Sequence, residues 1–459
     1  MIEFGIFNNQ GTDLPPVETE HDAMAPGGTL ADVHASAQRI QGSQVRQAVL
    51  ADQLGFHYWF QTEHHFQIEG VEISPNPLIT EAAIAVLTKQ IRLGQIANVL
   101  TTHHPVRLAE MAAQVDVLSG GRLEFGIARG YQPREVEVLG WPFGTVHDQE
   151  RNRALYEEVV EVIVKCWTRD SISHRGQFYT LPPTYTKWNH PQTIAFYDRP
   201  GITPTLEEAM HLGPPDMYSS GLPVMATTTT LKHISVLPQP LQKPHPQIWE
   251  PLTSDRSIRW AAERGINGYF IAEPNAILRT RVDAYMEAAG QAGWTDYKNR
   301  GAFKRGWDSE RKRGVVVGRV VHVVEDGIGD LEKIAAAAQV SWDYYGGFGF
   351  NFLLADEQGN IPPRASFQML RDKGLYIVGT REQVVEQIMQ IKDVGGFEDF
   401  FFTAWFEQPG LSEAEIAQQM RVFMQDIAPA LRERCGGSPT NPPLGVDYTV
   451  PVAGVAVHA

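Results

Sequence analysis

The chain has 459 residues, 43% of them hydrophobic and 20% charged, which is ample for a large core and within the range of one α/β barrel carrying insertions. A formal net charge of −15 argues against nucleic acid or an anionic membrane surface as partner, and no apolar run is long enough to span a bilayer. Its two cysteines, Cys166 and Cys435, are too few and too far apart for a disulfide framework or a thiolate metal site, and Met1–Ile2–Glu3–Phe4 enters strand-like sequence without a basic leader, so a cytoplasmic protein with a reduced interior thiol at Cys166 is expected.

Ile2, Phe4 and Ile6 alternate over residues 2–8 and predict a first strand that stops at Asn8–Asn9. Residues 11–35 are rich in Gly, Pro, Asp and His without a period, which predicts a long loop. Ile40, Val45, Val49 and Leu54 then recur at helical spacing until Gly55 supplies the stop. A strand over 56–61 runs directly into Thr62–Glu63–His64–His65, and Asn76–Pro77 opens a helix over 77–88 with Leu78, Ala82, Ala85 and Val86 inward. A third strand covers 91–100. Pro105 can start the next helix, whose stripe of Leu108, Met111, Val115 and Leu118 ends at Ser119–Gly120–Gly121. A fourth strand, 122–128, precedes Arg129–Gly130, and Asp148 is the N-cap of a long helix with Leu155, Val159, Val162 or Ile163, and Cys166 facing in.

After an irregular passage the alternation resumes with strand 247–252, helix 255–264, strand 267–272, helix 275–290 and the β-branched run Val315–Val324. Helices over 330–343 and 380–393, a strand over 398–404 and a helix over 412–431 complete it. This rhythm predicts a (β/α)8 TIM barrel over residues 1–435, with chemistry at the C-terminal ends of its strands. Residues 187–246, with ten prolines, read as an ordered insertion between helix 4 and strand 5, suited to scaffolding or subunit contact on the face opposite the site. Residues 344–375, with Gly346–Gly347–Phe348–Gly349–Phe350, have the hinges and apolar underside of a lid, or else form plain aromatic core. The tail 436–459 has no amphipathic pattern.

Glu63, His64 and His65 stand where an aromatic strand meets a loop. On extended backbone adjacent side chains point in opposite directions, so one imidazole can face the barrel mouth while the other bonds within the wall. A metal site would lack the usual ligand spacings, although His57, His103 and His104 could join from neighbouring strands. Satisfied structural histidines remain a third reading. Arg129 follows strand four, where it could grip an anion or pair with Glu63. Thr253, Ser254, Asp255 and Ser257 open the helix after the adjacent strand five; such hydroxyls and free N–H groups serve either an ordinary N-cap or a phosphate. No glycine-rich dinucleotide fingerprint, P-loop or nucleophile elbow occurs.

Thr62–Glu63–His64–His65–Phe66, Asn76–Pro77, the run from Leu100–Thr101–Thr102–His103–His104–Pro105 to Glu110, and Gly120–Gly121–Arg122 through Ala128–Arg129–Gly130 together strongly resemble the bacterial luciferase-like flavin monooxygenases. Trp260–Ala261–Ala262–Glu263–Arg264–Gly265 and Gly379–Thr380–Arg381–Glu382–Gln383–Val384 continue the likeness. The resemblance implies a barrel that binds reduced FMN supplied by a separate flavin reductase, adds O2 at flavin C4a and uses the peroxyflavin to oxygenate a small or medium apolar organic molecule. His64 matches the family's catalytic histidine. Arg129, Thr253, Ser254 and Ser257 fall at phosphate-binding positions, with Thr253 where luciferase has a carboxylate. A non-proline cis peptide under the flavin maps to Ile96–Ala97, and Ala128 replaces luciferase's reactive cysteine, which speaks against light emission. Relatives commonly pair through helices near the start of the chain, so a homodimer or higher homo-oligomer is expected. The alternatives are an F420-dependent oxidoreductase of the same fold, a non-catalytic flavin-binding barrel and a metal-dependent barrel hydrolase.

Overall fold

A computed structural model describes residues 1–213, 227–294, 302–305 and 308–437. Eight parallel strands close into a barrel: β1 (Ile2–Asn8), β2 (Tyr58–Gln61), β3 (Arg92–Gln95), β4 (Leu123–Ala128), β5 (Gln247–Pro251), β6 (Asn267–Phe270), β7 (Asp308–Val323) and β8 (Phe400–Trp405). Each pairs with its successor, β4 meeting β5 at Gly126↔Trp249, and β8 returns to β1 at Ile2↔Phe400. The β3–β4 approach is so close that a Cβ added at Gly126 would collide with the Gln95 carbonyl, which is why glycine is required there.

The two-residue period of the strands builds two cores. Tyr58, Phe60, Trp249, Tyr269, Phe401 and Trp405 fill the barrel, while Trp59, Ile248, Phe400 and Phe402 face the helical layer. Burying each such ring contributes roughly 1.5–3 kcal/mol. Two of the polar groups inside are paired: Tyr269 bonds the Thr403 hydroxyl and Trp249 donates to Glu124 at 2.6 Å.

The layer outside consists of α1 (Leu30–Leu54), α2 (Pro77–Leu87), α3 (Pro105–Leu118), α4 (Pro133–Leu139), α5 (Gln149–Thr168), α6 (Asp255–Glu263), α7 (Asn275–Gln291), α8 (Leu331–Gly347), α9 (Arg381–Gly395) and α10 (Glu413–Val422). Several start signals act as expected. Asn76 caps α2 and Asp148 caps α5, while Gly55 ends α1 with φ 83°. No helix among the described residues is long and apolar enough to cross a membrane.

Five local expectations are corrected. The loop expected over 11–35 contains a small hairpin, Pro16–Glu18 against Met24–Pro26, and ends early because a Thr29–Asp32 capping box starts α1 at Leu30. In α2 Val86 is 60% exposed and Ile84 is the buried residue, since the stripe runs through Leu78, Glu81, Ile84 and Ala85. Leu118 in α3 is likewise exposed. The last helix continues past 431 to Cys435 through a π-helical turn at Phe423–Ile427. Finally, a short strand, Tyr376–Gly379, was hidden at the end of the lid segment. Val320 pairs with both Tyr376 and Trp405, so this strand flanks β7 on the β6 side, beyond the β6 pairing.

The chain between α5 and β5 holds a hairpin of His174–Arg175 and Thr180–Leu181, helices Pro191–Tyr197 and Leu206–Ala209, and the bridge Lys187↔Thr230. Its end lies at the base of the barrel, where Gln242 bonds Asp116 and the Leu123 carbonyl. Ahead of it, Tyr179 reaches toward the opposite end, donating to the His103 carbonyl at 3.4 Å. Residues 214–226 of the proline-rich segment and 438–459 of the tail lie outside the described residues.

Candidate active site

A cavity of about 290 Å³ opens at the C-terminal ends of the strands and is lined by His64, Ile96, Ala97, Ala128, Arg129, Thr253 and Ser257. Ser254 is not itself on the wall; it caps α6, its hydroxyl 2.9 Å from that of Ser257. The candidates from four separate strand ends thus converge on one space.

At one pole the segment after β2 divides its side chains as extended backbone requires. Glu63 points into the wall, where it accepts from His103 at 2.7 Å, His65 at 3.0 Å and the Val99 N–H at 2.8 Å. Burial opposes its charge, but His103, His65 and the Val99 N–H overcome that and hold the carboxyl at about 2. Because that value lies below the ordinary 4.5, the contribution to stability is complete above about pH 4.5 and is lost as the pH falls through about 2. Glu63→Ala strips the partner from two imidazoles and is expected to cost about 3–5 kcal/mol in chemical denaturation; a loss below about 1 kcal/mol would show that the cluster is not an anchor.

His64 instead faces the cavity. Its Nδ1 is 3.2 Å from Glu135, its Nε2 is 3.4 Å from Glu72, and Gln132 lies 3.1 Å from Nδ1. Burial disfavours the imidazolium, yet Glu72, Glu135 and Glu63 together raise His64 to about 9. Glu72 is held in turn by Tyr345 at 3.0 Å, Gln132 at 3.0 Å and Asn9 at 3.3 Å, and Glu135 takes the His65 N–H at 2.6 Å. The result is a buried, oriented cation that can donate a proton into the cavity.

At the other pole Arg129 follows β4. Its Nη1 makes one long bond, 3.4 Å, to Gln149, and it joins no ion pair among the described residues, so the pairing with Glu63 considered from sequence does not form. Burial and the neighbouring Arg153 lower its affinity for a proton, against the weaker opposing influence of Glu250. Opposite stand the hydroxyls of Thr253 and Ser257 at the start of α6, whose first N–H groups and dipole favour an anion. This donor set suits a phosphate ester. Between the poles the Ile96–Ala97 peptide is cis.

Much of the remaining wall is apolar. Trp342, Tyr345, Phe350, Phe352 and Leu353, from α8 and the following turn, line the cavity together with Trp405, and Tyr131 packs edge-on against Phe348 and Phe350. The 344–375 segment therefore covers the cavity and is also continuous with the barrel's aromatic core. Sequence reasoning missed Glu72, Gln132, Glu135, Arg153 and Glu250. Only Glu135 carried a usable signal, an acid in the first turn of a helix that follows Arg129–Gly130. Among the described residues no three His, Cys, Asp or Glu side chains are grouped to hold a metal ion.

Residues 23–211 match the family model described as luciferase-like monooxygenase. The chain is 28% identical over 289 residues to the uncharacterized protein y4wF of Sinorhizobium fredii, covering 63% of this chain but only 61% of that one. It is 23% identical to the oxygenase component of flavin-dependent trigonelline monooxygenase from Acinetobacter baylyi, across 86% of this chain and 91% of the other. Among solved structures, the oxygenating constituent of 3,6-diketocamphane monooxygenase from Pseudomonas putida in complex with FMN superposes with a TM-score of 0.61 at 20% identity, covering 94% and 98% of the two chains, a likeness of fold.

Proposed function

We propose, from the match of residues 23–211 to the luciferase-like monooxygenase model and from the geometry of the cavity, that the chain is an FMN-dependent oxygenase that draws reduced flavin from a separate reductase and oxygenates a small or medium apolar organic substrate. The observation that carries this reading is the joint occupancy of one cavity wall by His64, paired to Glu72 and Glu135, and by Arg129 with the hydroxyls of Thr253 and Ser257. The relative named as an oxygenase component supports a reductase partner.

Reduced FMN, when bound, supplies the electrons that activate O2. The protein's part is positional and electrostatic. Arg129, Thr253 and Ser257 would hold the phosphate, with Ser254 orienting the Ser257 hydroxyl. Ile96, Ala97 and Ala128 would form the small-residue floor for the ring. His64, its Nδ1 held by Glu135, would present its Nε2 proton to a cavity lined by Phe350, Phe352 and Trp342, and those apolar side chains would favour an apolar substrate. Oxygen uptake with photoreduced FMN, assayed over ketones, aldehydes and aromatics with product analysis, tests the reading. Substrate-dependent incorporation of labelled oxygen is expected; reduction of F420 with no oxygen incorporation would overturn it.

A second copy of the chain is the expected partner of α2. Ile79 is 68% exposed and Val86 60% exposed on that helix, an unusual apolar surface for a free monomer. The double variant Ile79→Glu, Val86→Glu should shift the species in light scattering from dimer to monomer without loss of helicity. An unchanged mass, or a monomeric wild type, would remove this face as the contact.

A further inference from the structure

The phosphate pole contains a carboxyl that the reading above does not use. Glu250, the fourth residue of β5, is only 5% exposed and lies on the cavity wall near Arg129 and Ser257. Its Oε2 is buried without a hydrogen-bond partner. A buried acid in this position is chemically awkward for an anion site, because an ionised carboxylate would compete with the ligand for the same guanidinium groups.

We propose that Glu250 works as a neutral carboxylic acid in the phosphate subsite, donating its proton to a phosphate oxygen of the flavin, and that its ionisation expels the phosphate-bearing flavin while leaving riboflavin unaffected. This rests on the assignment of Arg129, Thr253 and Ser257 to the phosphate.

The surroundings favour the neutral form. Burial is the dominant influence, pushing the carboxyl up to about 8 against the opposing pull of the nearby Tyr156 hydroxyl, then Arg153 and Arg129. From α5 the groups that face it are Arg153, Tyr156 and Glu157; from the β4 end it is Arg129. On α6 the Arg256 head is held by Glu150, and the neighbouring Ser257 and Trp260 do not titrate. The Tyr156 hydroxyl, itself buried without a hydrogen-bond partner, is pushed upward chiefly by burial and stays neutral. A phosphate dianion arriving beside Arg129 penalises ionised Glu250 further, so binding and protonation of this one group must be linked. No covalent step is involved: one proton remains on Glu250 and is shared in a hydrogen bond.

The test is the ratio of FMN to riboflavin affinity, measured by flavin fluorescence quenching with the full-length protein between pH 6.5 and 9.5. Titration of His64, which lines the cavity away from the phosphate donors, would affect both flavins and cancel in the ratio. The ratio is expected to be constant up to about pH 8 and to fall about tenfold for each further pH unit, the slope of a single linked proton. In Glu250→Gln, which keeps a donor and cannot ionise, it should be flat. Calorimetry of the unaltered protein at pH 8.5, in buffers of different ionisation enthalpy, should show proton uptake with FMN and none with riboflavin, and does not depend on the variant's folding. A flat ratio in the wild type with FMN the tighter ligand, or the same slope in Glu250→Gln, overturns the role of Glu250 while leaving the phosphate subsite intact. FMN bound no more tightly than riboflavin at pH 7 overturns the subsite and the proposal together.

Discussion

His64→Ala is expected to lower substrate oxygenation by at least about 100-fold, the lower end of what a positioned proton donor contributes, while the affinity for FMN changes little. Oxygen consumption should persist, with hydrogen peroxide released in place of oxygenated product. The reason lies in the pairing of His64 with Glu72 and Glu135 at 3.4 and 3.2 Å, which makes the imidazolium the resting form. With His64 raised to about 9, the oxygenation rate should hold through neutral pH and fall as the pH rises through about 9. The same sign governs stability: the charged pair contributes fully below the ordinary value of 6.5 and its contribution is lost as the pH passes about 9. Glu135→Gln removes one of the carboxylates that raise His64, so the alkaline limb should move to lower pH, a displacement that a purely structural role for Glu135 would not produce. Stopped-flow product formation against pH checks both variants. Full activity in His64→Ala would end the assignment.

Arg129→Ala should weaken FMN binding about 10- to 150-fold, corresponding to the roughly 1.5–3 kcal/mol of a hydrogen bond to a charged group, and should leave riboflavin binding unchanged. The expectation follows from a guanidinium that is partly buried, joins no ion pair among the described residues and makes one long bond to Gln149. A residue so poorly satisfied by the protein is available to a ligand, and its removal costs the fold little. Equal weakening of both flavins would assign Arg129 to general cavity shape. Lys in its place should recover only part of the affinity, since it offers the charge without the planar fork.

Much of this site is legible in the chain itself because its parts are local. Glu63, His64 and His65 are contiguous and follow the aromatic strand at Tyr58–Gln61, so the division of labour between a wall-facing acid and a cavity-facing imidazole follows from backbone alternation alone. Ser254 and Ser257 belong to a helix start that any N-cap analysis finds. Glu72 carries no such mark, and Glu135 only its place in the first turn of α4. Glu135 stands 71 positions from His64, and whether a helical acid is a solvated surface group or the counter-charge of a buried imidazole depends on which strand ends the barrel brings together. Glu250 is the sharper case: on a strand of alternating pattern it reads as an outward polar residue, and only the packing of α5 over it turns outward into buried. The hidden strand Tyr376–Gly379 has the same origin, four residues whose extended form is selected by pairing with Val320–Val323.

By itself the sequence determined the alternation of strands and helices, the caps that bound them and the order of the site motifs, because these depend on residues close along the chain. Tertiary structure alone decided the environments that shift His64, Glu63 and Glu250, the close β3–β4 approach that demands Gly126, the arrangement that leaves Arg129 in no ion pair among the described residues, and the aromatic cover drawn from α8. Those properties are set by distance and desolvation, and barrel closure is what brings residues more than a hundred positions apart within a few ångströms and removes the water between them.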